Sequence, residues 1–363
     1  MNRDKIRVLT VSGAPYDLGY RHGQAYREEI RHYAAERVAL VMEGKWSGNH
    51  QLSRAQVLEL ADACVPAHDT YAPNLMAELR GIAEASDLTL GEMIVVNGFT
   101  DFIDTVYNTY KRTTPLEPQL AIDDCTAFII PDDLAEGAGF FGQTWDMHDT
   151  ATDYVIMLRV EAKDKPRALV FTTTGCVGQI GMNEHGLAVG INNLLGADGQ
   201  VGVTWPFVIR KALQQDNIEA ALACITEAPL AGAHNYLLFD RQGNGYNIEA
   251  MSTRQRITPL NGSPLLHTNH CLFSETDAVA QTRLPESQQN SEARLALAEE
   301  LLNAGQVTVD QLQALTRQTP ICVTATPPFN VESCGAAIMR PKTGDFWAVW
   351  GRPSENEYEH FLV

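Results

Sequence analysis

The stretch LAIDDCTAFIIPDD, from Leu120 to Asp133, divides the chain into two parts of different character. Before it, apolar residues recur mainly at helical spacing. After it, short apolar runs of strand length alternate with turns rich in Gly, Asn and Asp. Cys125 lies at the boundary, directly after Asp123 and Asp124. Because nearby carboxylates disfavour a thiolate, this is an unusual position for a reactive cysteine.

The part before Cys125 is predicted to be helical. Apolar residues at helical spacing cover residues 16–41, and Ser53 followed by Gln56 has the pattern of a capping box. Further helices are predicted from Pro73 to Ala85 and from Thr89 to Gly98. The first third of the chain therefore contributes mostly helices.

The part from Cys125 onward mixes clusters of strands with clusters of helices. Strands are predicted at 125–130, 154–160, 168–173, 186–192, 236–239, 335–340 and 346–351, and helices at 205–215, 218–227, 291–304 and 309–316. These clusters do not alternate regularly as β-α-β units. The pattern therefore favours an α+β fold with antiparallel sheet.

Composition and charge exclude several classes of function. The 363 residues are 45% hydrophobic and carry a formal net charge of −18, so the surface repels nucleic-acid phosphates. No apolar run approaches the roughly 18 residues of a membrane helix, and the N-terminus lacks the pattern of a signal peptide. Seven scattered cysteines are typical of reduced thiols. We therefore expect a cytoplasmic protein that binds neither nucleic acid nor membrane.

Individual motifs leave several interpretations open. The segment His267-Thr268-Asn269-His270-Cys271 lacks a second His/Cys pair at zinc-ligand spacing, which argues against a metal site. Asn269 is either a turn residue or a positioned amide donor. Asp146, beside Trp145 in GQTWD, and Glu249, in NIEAMS, are typical of strand-end turn or cap residues. No histidine emerges from spacing alone as a catalytic partner for Cys125.

Six motifs in order carry a resemblance to a known family. They are GAPYDLGYRHG (13–23), DDCTAF (123–128), GQTWDM (142–147), GMNEHGLAVGINN (181–193), HTNHCL (267–272) and WGRPSENE (350–357). Together they resemble the acyl-coenzyme A:6-aminopenicillanic acid acyltransferase family, also called C45, whose relatives include insect β-alanyl-dopamine hydrolase. The resemblance covers nearly the whole chain. The first motif is expected to shape the helical part.

The resemblance implies an N-terminal-nucleophile hydrolase with a four-layer αββα sandwich containing two antiparallel sheets. Such proteins cut themselves immediately before a cysteine, which here places the cut between Asp124 and Cys125. Residues 1–124 would be a helical α subunit and residues 125–363 a strand-rich β subunit, and the two would remain associated. The α-amino group freed by the cut, with a reference pKa of about 7.7–8.0, would serve as the base for Cys125.

The resemblance also implies roles for other side chains. Asn269 is similar to the family's oxyanion-hole asparagine, and Asp146 to the aspartate that orients the nucleophile and its amine. Four further residues are expected to contact substrate or support the site: Asn192, Ser333, Trp145 and His270. No metal is implied. No cofactor is implied either, and acyl-coenzyme A would enter only as an acyl donor.

Two departures bear on the substrate. Asp124 stands where penicillin-forming members have Gly, and Cys334 follows Ser333 where those members have Arg. A small-molecule amide other than a penicillin is therefore favoured, and hydrolysis is favoured over transfer because nothing specifically signals coenzyme A. Two alternatives stay open: an unprocessed, precursor-like binding protein, and a conventional hydrolase with His267 or His270 as base. The oligomeric state is also open.

Overall fold

A computed structural model describes residues 5–110, 124–302 and 305–363. Its α-helices are α1 (Pro15–Ala25), α2 (Arg27–Glu43), α3 (Arg54–Tyr71), α4 (Pro73–Ser86), α5 (Leu90–Val96), α6 (Phe99–Tyr110), α7 (Trp205–Ala212), α8 (Ile218–Thr226), α9 (Ser274–Asp277), α10 (Pro285–Leu302) and α11 (Val309–Thr316). The predicted capping box at Ser53 and Gln56 begins α3. The predicted single helix over residues 16–41 is two helices, α1 and α2, that meet at Tyr26.

The strands form two sheets. They are β1 (Arg7–Gly13), β2 (Ala127–Ile130), β3 (Phe140–His148), β4 (Val155–Ala162), β5 (Ala168–Thr173), β6 (Ile180–Asn183), β7 (Leu187–Asn193), β8 (His234–Asp240), β9 (Gly245–Ala250), β10 (Gln255–Pro259), β11 (Leu265–His267), β12 (Val331–Arg340), β13 (Asp345–Trp350) and β14 (Glu359–Leu362). One sheet has eight strands in the order β1-β4-β5-β6-β7-β8-β9-β10. The other has six, in the order β11-β2-β3-β12-β13-β14.

The two sheets pack face to face, with helices outside both of them. Strands β2 and β3 contact β7 and β8 across the interface. The Gln143 side chain joins the sheets directly, because its Nε2 donates to Ile191 O at 2.9 Å and its Oε1 accepts from Ile191 N at 2.8 Å. Helices α10 and α11 cover the outer face of the six-stranded sheet, and α7 and α8 contact the eight-stranded sheet. The four-layer αββα prediction is confirmed.

The first strand also differs from the prediction. Strand β1 belongs to the predicted helical part, yet it pairs in parallel with β4 at the edge of the eight-stranded sheet. The first part is therefore not purely helical, and the sheets are antiparallel in every other described pairing. The signal was weak because an edge strand with one solvated face shows only a short apolar alternation.

The motif at residues 13–23 shapes helix packing. Gly19 and Gly23 lie on the face of α1 that contacts α4. A Cβ added at Gly23 would lie 2.7 Å from Ala85 Cβ, and one at Gly19 would collide with the carbonyl of Glu78. Only glycine permits this close approach of the two helices. The motif thus has a packing function in the fold.

Residues on both sides of Cys125 share one core. The largest buried cluster joins apolar side chains of α1–α6 to those of both sheets. Asp104 of α6 accepts hydrogen bonds from Ala233 N at 2.9 Å and from Gln281 Nε2 at 3.0 Å. The parts of the chain before and after Cys125 therefore have a common interior.

Candidate active site

Cys125 stands at the start of β2, on the face that meets the other sheet. The β2–β3 register pairs Ala127 with Gln143, and the Thr144 N–H donates to Thr126 O at 2.9 Å. Continuing that register by two residues places Cys125 opposite Trp145 on the same face. The thiol is 1% exposed. Its Sγ lies 3.4 Å from Asp146 N and 3.8 Å from Asp146 O.

Arg294 of α10 contacts several residues of the candidate site. It is fully buried, and its Nη1 donates to the Cys125 carbonyl at 2.7 Å and to Thr126 Oγ1 at 3.2 Å. Its Nη2 donates to Asn269 Oδ1 at 3.0 Å and lies 3.4 Å from Asp124 Oδ1. One guanidinium therefore contacts both residues of the expected scissile bond and the expected oxyanion donor. Charged donors make hydrogen bonds about twice as strong as neutral ones.

The contacts of Asn269 fix the orientation of its amide. Arg294 can only donate, so the atom that it contacts must be the amide oxygen. The Asn269 Nδ2 group donates one hydrogen to Asn193 O at 3.1 Å, which leaves its second hydrogen for another acceptor. The Asn269 backbone N–H donates to Ser291 Oγ at 3.0 Å. With its oxygen bound by Arg294, the amide retains the capacity to donate a second hydrogen bond through Nδ2.

Asp146 carries a buried carboxyl on the opposite face of β3 from Trp145. Burial raises the pKa of this carboxyl well above its ordinary range, against the lowering effects of the Ser333 hydroxyl and Arg294. Ser333 pairs with Asp146 across β12 and β3, immediately before a β-bulge. Its hydroxyl also accepts from Val323 N at 2.9 Å. Burial therefore favours the neutral form of the Asp146 carboxyl in the uncut chain.

Asp124 has a charge partner that the sequence did not indicate. Its carboxylate is 21% exposed and forms an ion pair with Arg294. An acidic residue before the cysteine is thereby accommodated, because the guanidinium that donates to the Cys125 carbonyl also lies 3.4 Å from Asp124 Oδ1. Asp123, the other acid of the motif, lies outside the described residues.

The two histidines near Asn269 have other partners. His267 Nε2 lies 3.0 Å from Glu249 Oε1, and its Nδ1 lies 2.6 Å from Thr268 O, so both ring nitrogens are engaged. His270 Nδ1 lies 2.8 Å from Ser291 Oγ. The strand-end position of Glu249 predicted a turn or cap residue, and that prediction is wrong. Glu249 forms a buried pair with His267 that joins β9 to β11. These contacts hold the loop that carries Asn269.

The two remaining candidates lie close to this centre. Asn192 is fully buried on β7, one residue before the Asn193 carbonyl that accepts from Asn269, and it pairs with Asn235 across the sheet. Neither polar side-chain atom of Asn192 has a hydrogen-bond partner within the part of the chain that the structure describes. Trp145 is 2% exposed and packs edge-on to Phe171, with ring centroids 6.4 Å apart. Both side chains face the space between the sheets.

Sequence reasoning missed Arg294, although a signal was present. The buried residues of α10 recur at helical spacing as Ser287, Ser291, Arg294, Ala298 and Leu302. An arginine in the buried stripe of a helix needs a partner, because burial of an unpaired charge is costly. Its Nε donates to Asn290 Oδ1 within the same helix, but its partners at the site are 25 to 170 residues away along the chain.

The described residues contain neither a cluster of metal-binding side chains nor a membrane-spanning helix. In residues 5–110, 124–302 and 305–363, no three His, Cys, Asp or Glu side chains are grouped so that they could hold a metal ion. Across the same ranges, every helix is too short or too polar to cross a membrane.

Comparison with protein families and curated proteins gives one consistent result. The model of the family described as acyl-coenzyme A:6-aminopenicillanic acid acyl-transferase matches residues 134–355. The 40 kDa form of an acyl-coenzyme A:6-aminopenicillanic-acid-acyltransferase from Emericella nidulans is 24% identical over 283 residues, which is 77% of this chain and 73% of that protein. An uncharacterized protein from Archaeoglobus fulgidus is 24% identical over 215 residues, 55% of this chain and 34% of its own length.

Comparison with solved structures finds distant similarity to two other proteins. A mutant of the conjugated bile acid hydrolase from Clostridium perfringens aligns with a TM-score of 0.44 at 11% identity, over 66% of this chain and 97% of that one. Penicillin V acylase from Agrobacterium tumefaciens aligns with a TM-score of 0.33 at 11% identity, over 64% and 78% of the two chains.

Proposed function

Because the chain belongs to the acyl-coenzyme A:6-aminopenicillanic acid acyltransferase family, we propose that it is a self-processing cysteine amidase. It would cut itself between Asp124 and Cys125 and then hydrolyse a small-molecule amide through an acyl-thioester on Cys125. The observation that carries the proposal is the set of contacts from Arg294 to Cys125, Asp124 and Asn269. These contacts gather the scissile bond, the nucleophile and an amide donor around one buried cation.

The processing step begins with the Cys125 thiol. Its sulfur attacks the carbonyl carbon of Asp124, and the peptide C–N bond breaks as the nitrogen takes up the thiol proton. The product is a thioester between Asp124 and Cys125, with a free amine on Cys125. Water then hydrolyses the thioester, which releases the Asp124 carboxylate and restores the thiol. Arg294 supports this step by holding the Cys125 carbonyl and the Asp124 side chain, one on each side of the bond.

The catalytic cycle uses the same sulfur with a new base. The α-amine of Cys125 takes the thiol proton, because its reference pKa of about 7.7–8.0 is close to neutral pH. The sulfur attacks the substrate carbonyl, and the second hydrogen of the Asn269 amide is donated to the developing oxyanion. The amine product leaves with a proton, and water hydrolyses the thioester. Asp146, once opposite a protonated α-amine, would ionise and orient it.

Hydrolysis is preferred to transfer in this proposal, with acyl-coenzyme A at most a donor and no metal or other cofactor required. The substrate is a small amide, and the products are an amine and a carboxylic acid. The seven cysteines are all free thiols in the structure, which supports a reducing, cytoplasmic location.

The test is the intact mass of freshly purified protein. Wild type should give two fragments, 1–124 and 125–363, that elute together from a sizing column, and Cys125→Ala should remain a single 40.0 kDa chain. Cys322→Ala, which alters another buried thiol, is the matched control and should still be cut. A wild-type chain that stays whole on long incubation would contradict the self-processing proposal and favour the precursor-like binding protein.

A further inference from the structure

Ser291 of α10 is a buried residue to which the proposed reaction assigns no role. It lies three positions before Arg294 on the buried face of the helix, and its side chain is fully buried. Residues three apart in a helix share a face, and both of these side chains contact Asn269. A buried hydroxyl needs hydrogen-bond partners, and those of Ser291 lie in the loop that carries Asn269.

The Ser291 hydroxyl contacts three consecutive residues of that loop. Its Oγ accepts a hydrogen bond from the Asn269 backbone N–H at 3.0 Å. It also lies 2.9 Å from Thr268 Oγ1 and 2.8 Å from His270 Nδ1. Arg294 holds the side-chain oxygen of Asn269 at 3.0 Å. Two residues from one turn of α10 therefore fix both the backbone and the side chain of the same asparagine.

The hydrogen positions in this cluster follow from the acceptors. Thr268 Oγ1 donates its hydrogen to the Ser291 carbonyl at 3.1 Å, so towards the Ser291 hydroxyl it can only accept. The single hydroxyl hydrogen of Ser291 is thereby used, and its Oγ can only accept from His270. His270 Nδ1 must therefore carry a hydrogen. Burial lowers the pKa of His270 to about 4, so at pH 7 the ring is neutral and its Nε2 carries none.

We propose that Ser291 is a positioning residue that fixes Asn269 for donation to the oxyanion, with the Nδ1–H of His270 as its supporting donor. An oxyanion donor is effective only when it is held where the negative charge develops. The Ser291 hydroxyl accepts from the Asn269 N–H and directs its own hydrogen to Thr268, so each donor of the cluster has an acceptor. The inference rests on the proposed amidase function and adds a positioning residue to its site.

The kinetic test uses butanoyl-4-nitroanilide, with the amount of fragment 125–363 as the reference. Ser291→Ala should lower kcat at least about tenfold, because the amide donor loses its position, and should change KM less than about threefold. Ser291→Thr keeps the hydroxyl and should recover most of kcat. Ser86→Ala is the control and should behave as wild type, because this buried hydroxyl of α4 has no partner among the described residues. An unchanged kcat, a loss confined to KM, or no recovery in Ser291→Thr overturns the inference.

A measurement without turnover separates failure of this inference from failure of the proposed function. Uncut Cys125→Ala protein is studied by NMR at pH 7, where long-range 1H–15N spectra should show a hydrogen on His270 Nδ1 and none on Nε2. Adding Ser291→Ala should make the Asn269 backbone N–H exchange at least about tenfold faster. Both results support the inference even if the anilide is not hydrolysed.

The opposite results contradict the inference even if the anilide is hydrolysed. These are a hydrogen on His270 Nε2 in place of Nδ1, or an unchanged exchange rate of the Asn269 N–H in Ser291→Ala. If Ser291→Ala does not fold, the position of the His270 hydrogen in Cys125→Ala protein decides the question alone.

Discussion

Arg294 Nη1 donates to the carbonyl oxygen of Cys125 at 2.7 Å, although the two residues are 169 positions apart. The same side chain contacts Asn269 and Asp124. A single buried cation thus links α10 to the start of β2 and to the loop after β11. A movement of the guanidinium would therefore alter its contacts with Cys125 and with Asn269 at the same time.

Arg294→Gln should abolish self-cleavage or slow it by at least about 100-fold, because loss of positioning alone can cost that much. The appearance of the two fragments is followed by mass spectrometry after purification of the precursor. Arg317→Gln, which alters an arginine paired with the exposed Glu357, is the control and should be cut normally. Normal cleavage in folded Arg294→Gln would show that the contacts around the scissile bond are not used.

Asn269→Ala should reduce amide hydrolysis by about 100- to 1000-fold in kcat, which is the usual cost of one oxyanion donor. The amide lies buried and is held by Arg294 and the Asn193 carbonyl, so the developing charge would lose a fixed donor. The measurement uses protein that has already been cut, with the amount of fragment 125–363 as the reference. A change confined to KM would indicate that Asn269 binds substrate and does not stabilise the transition state.

Asp146→Asn should have different effects on the uncut and the cut protein. In the uncut chain burial raises the pKa of Asp146 and so favours the neutral carboxyl, to which an amide is close in shape and charge. The variant placed in a Cys125→Ala chain should therefore lose no more than about 1 kcal/mol of stability. In cut protein the α-ammonium would lose its carboxylate partner, and activity should fall at least about tenfold. Equal effects on both forms would assign Asp146 a structural role only.

His22→Gln should weaken the acid sensitivity of the fold. Burial lowers the pKa of His22 to about 4, and its Nε2 accepts from Gly175 N at 3.0 Å. Because the unfolded chain protonates at a higher pH than the folded one, this group's contribution to stability is complete above pH 6.5. It is lost progressively as the pH falls towards 4. Between pH 6.5 and 5 the loss is about 2 kcal/mol.

The measurement is urea unfolding of uncut Cys125→Ala protein at pH 7 and pH 5. Glutamine keeps an acceptor near Gly175 and cannot titrate, so His22→Gln should lose about 2 kcal/mol less than the parent between these two values. The exposed His185 is replaced by glutamine as the matched control. An unchanged pH dependence in His22→Gln would mean that protonation of this ring does not oppose folding.

Much of the fold followed from local patterns. The change from helical to strand-like periodicity near Cys125, the capping box of α3 and helix α11 all depend on residues a few positions apart, and each is present in the structure. Strand β1 was not predicted, because its partner β4 is about 150 residues away and its own apolar alternation is short. The glycines at 19 and 23 stood out in the sequence, but only the packing of α1 on α4 explains why no side chain fits there.

The sequence by itself determined the layered class of fold, the order of the family motifs and the residue types of the site: a cysteine, an asparagine and an aspartate. Only the tertiary structure decided that Arg294 contacts Cys125, Asn269 and Asp124, and that Asp124 therefore has a cation beside it. The physical reason is distance along the chain. Periodicity and capping act over a few residues, whereas pairing of buried charges depends on which strands and helices meet.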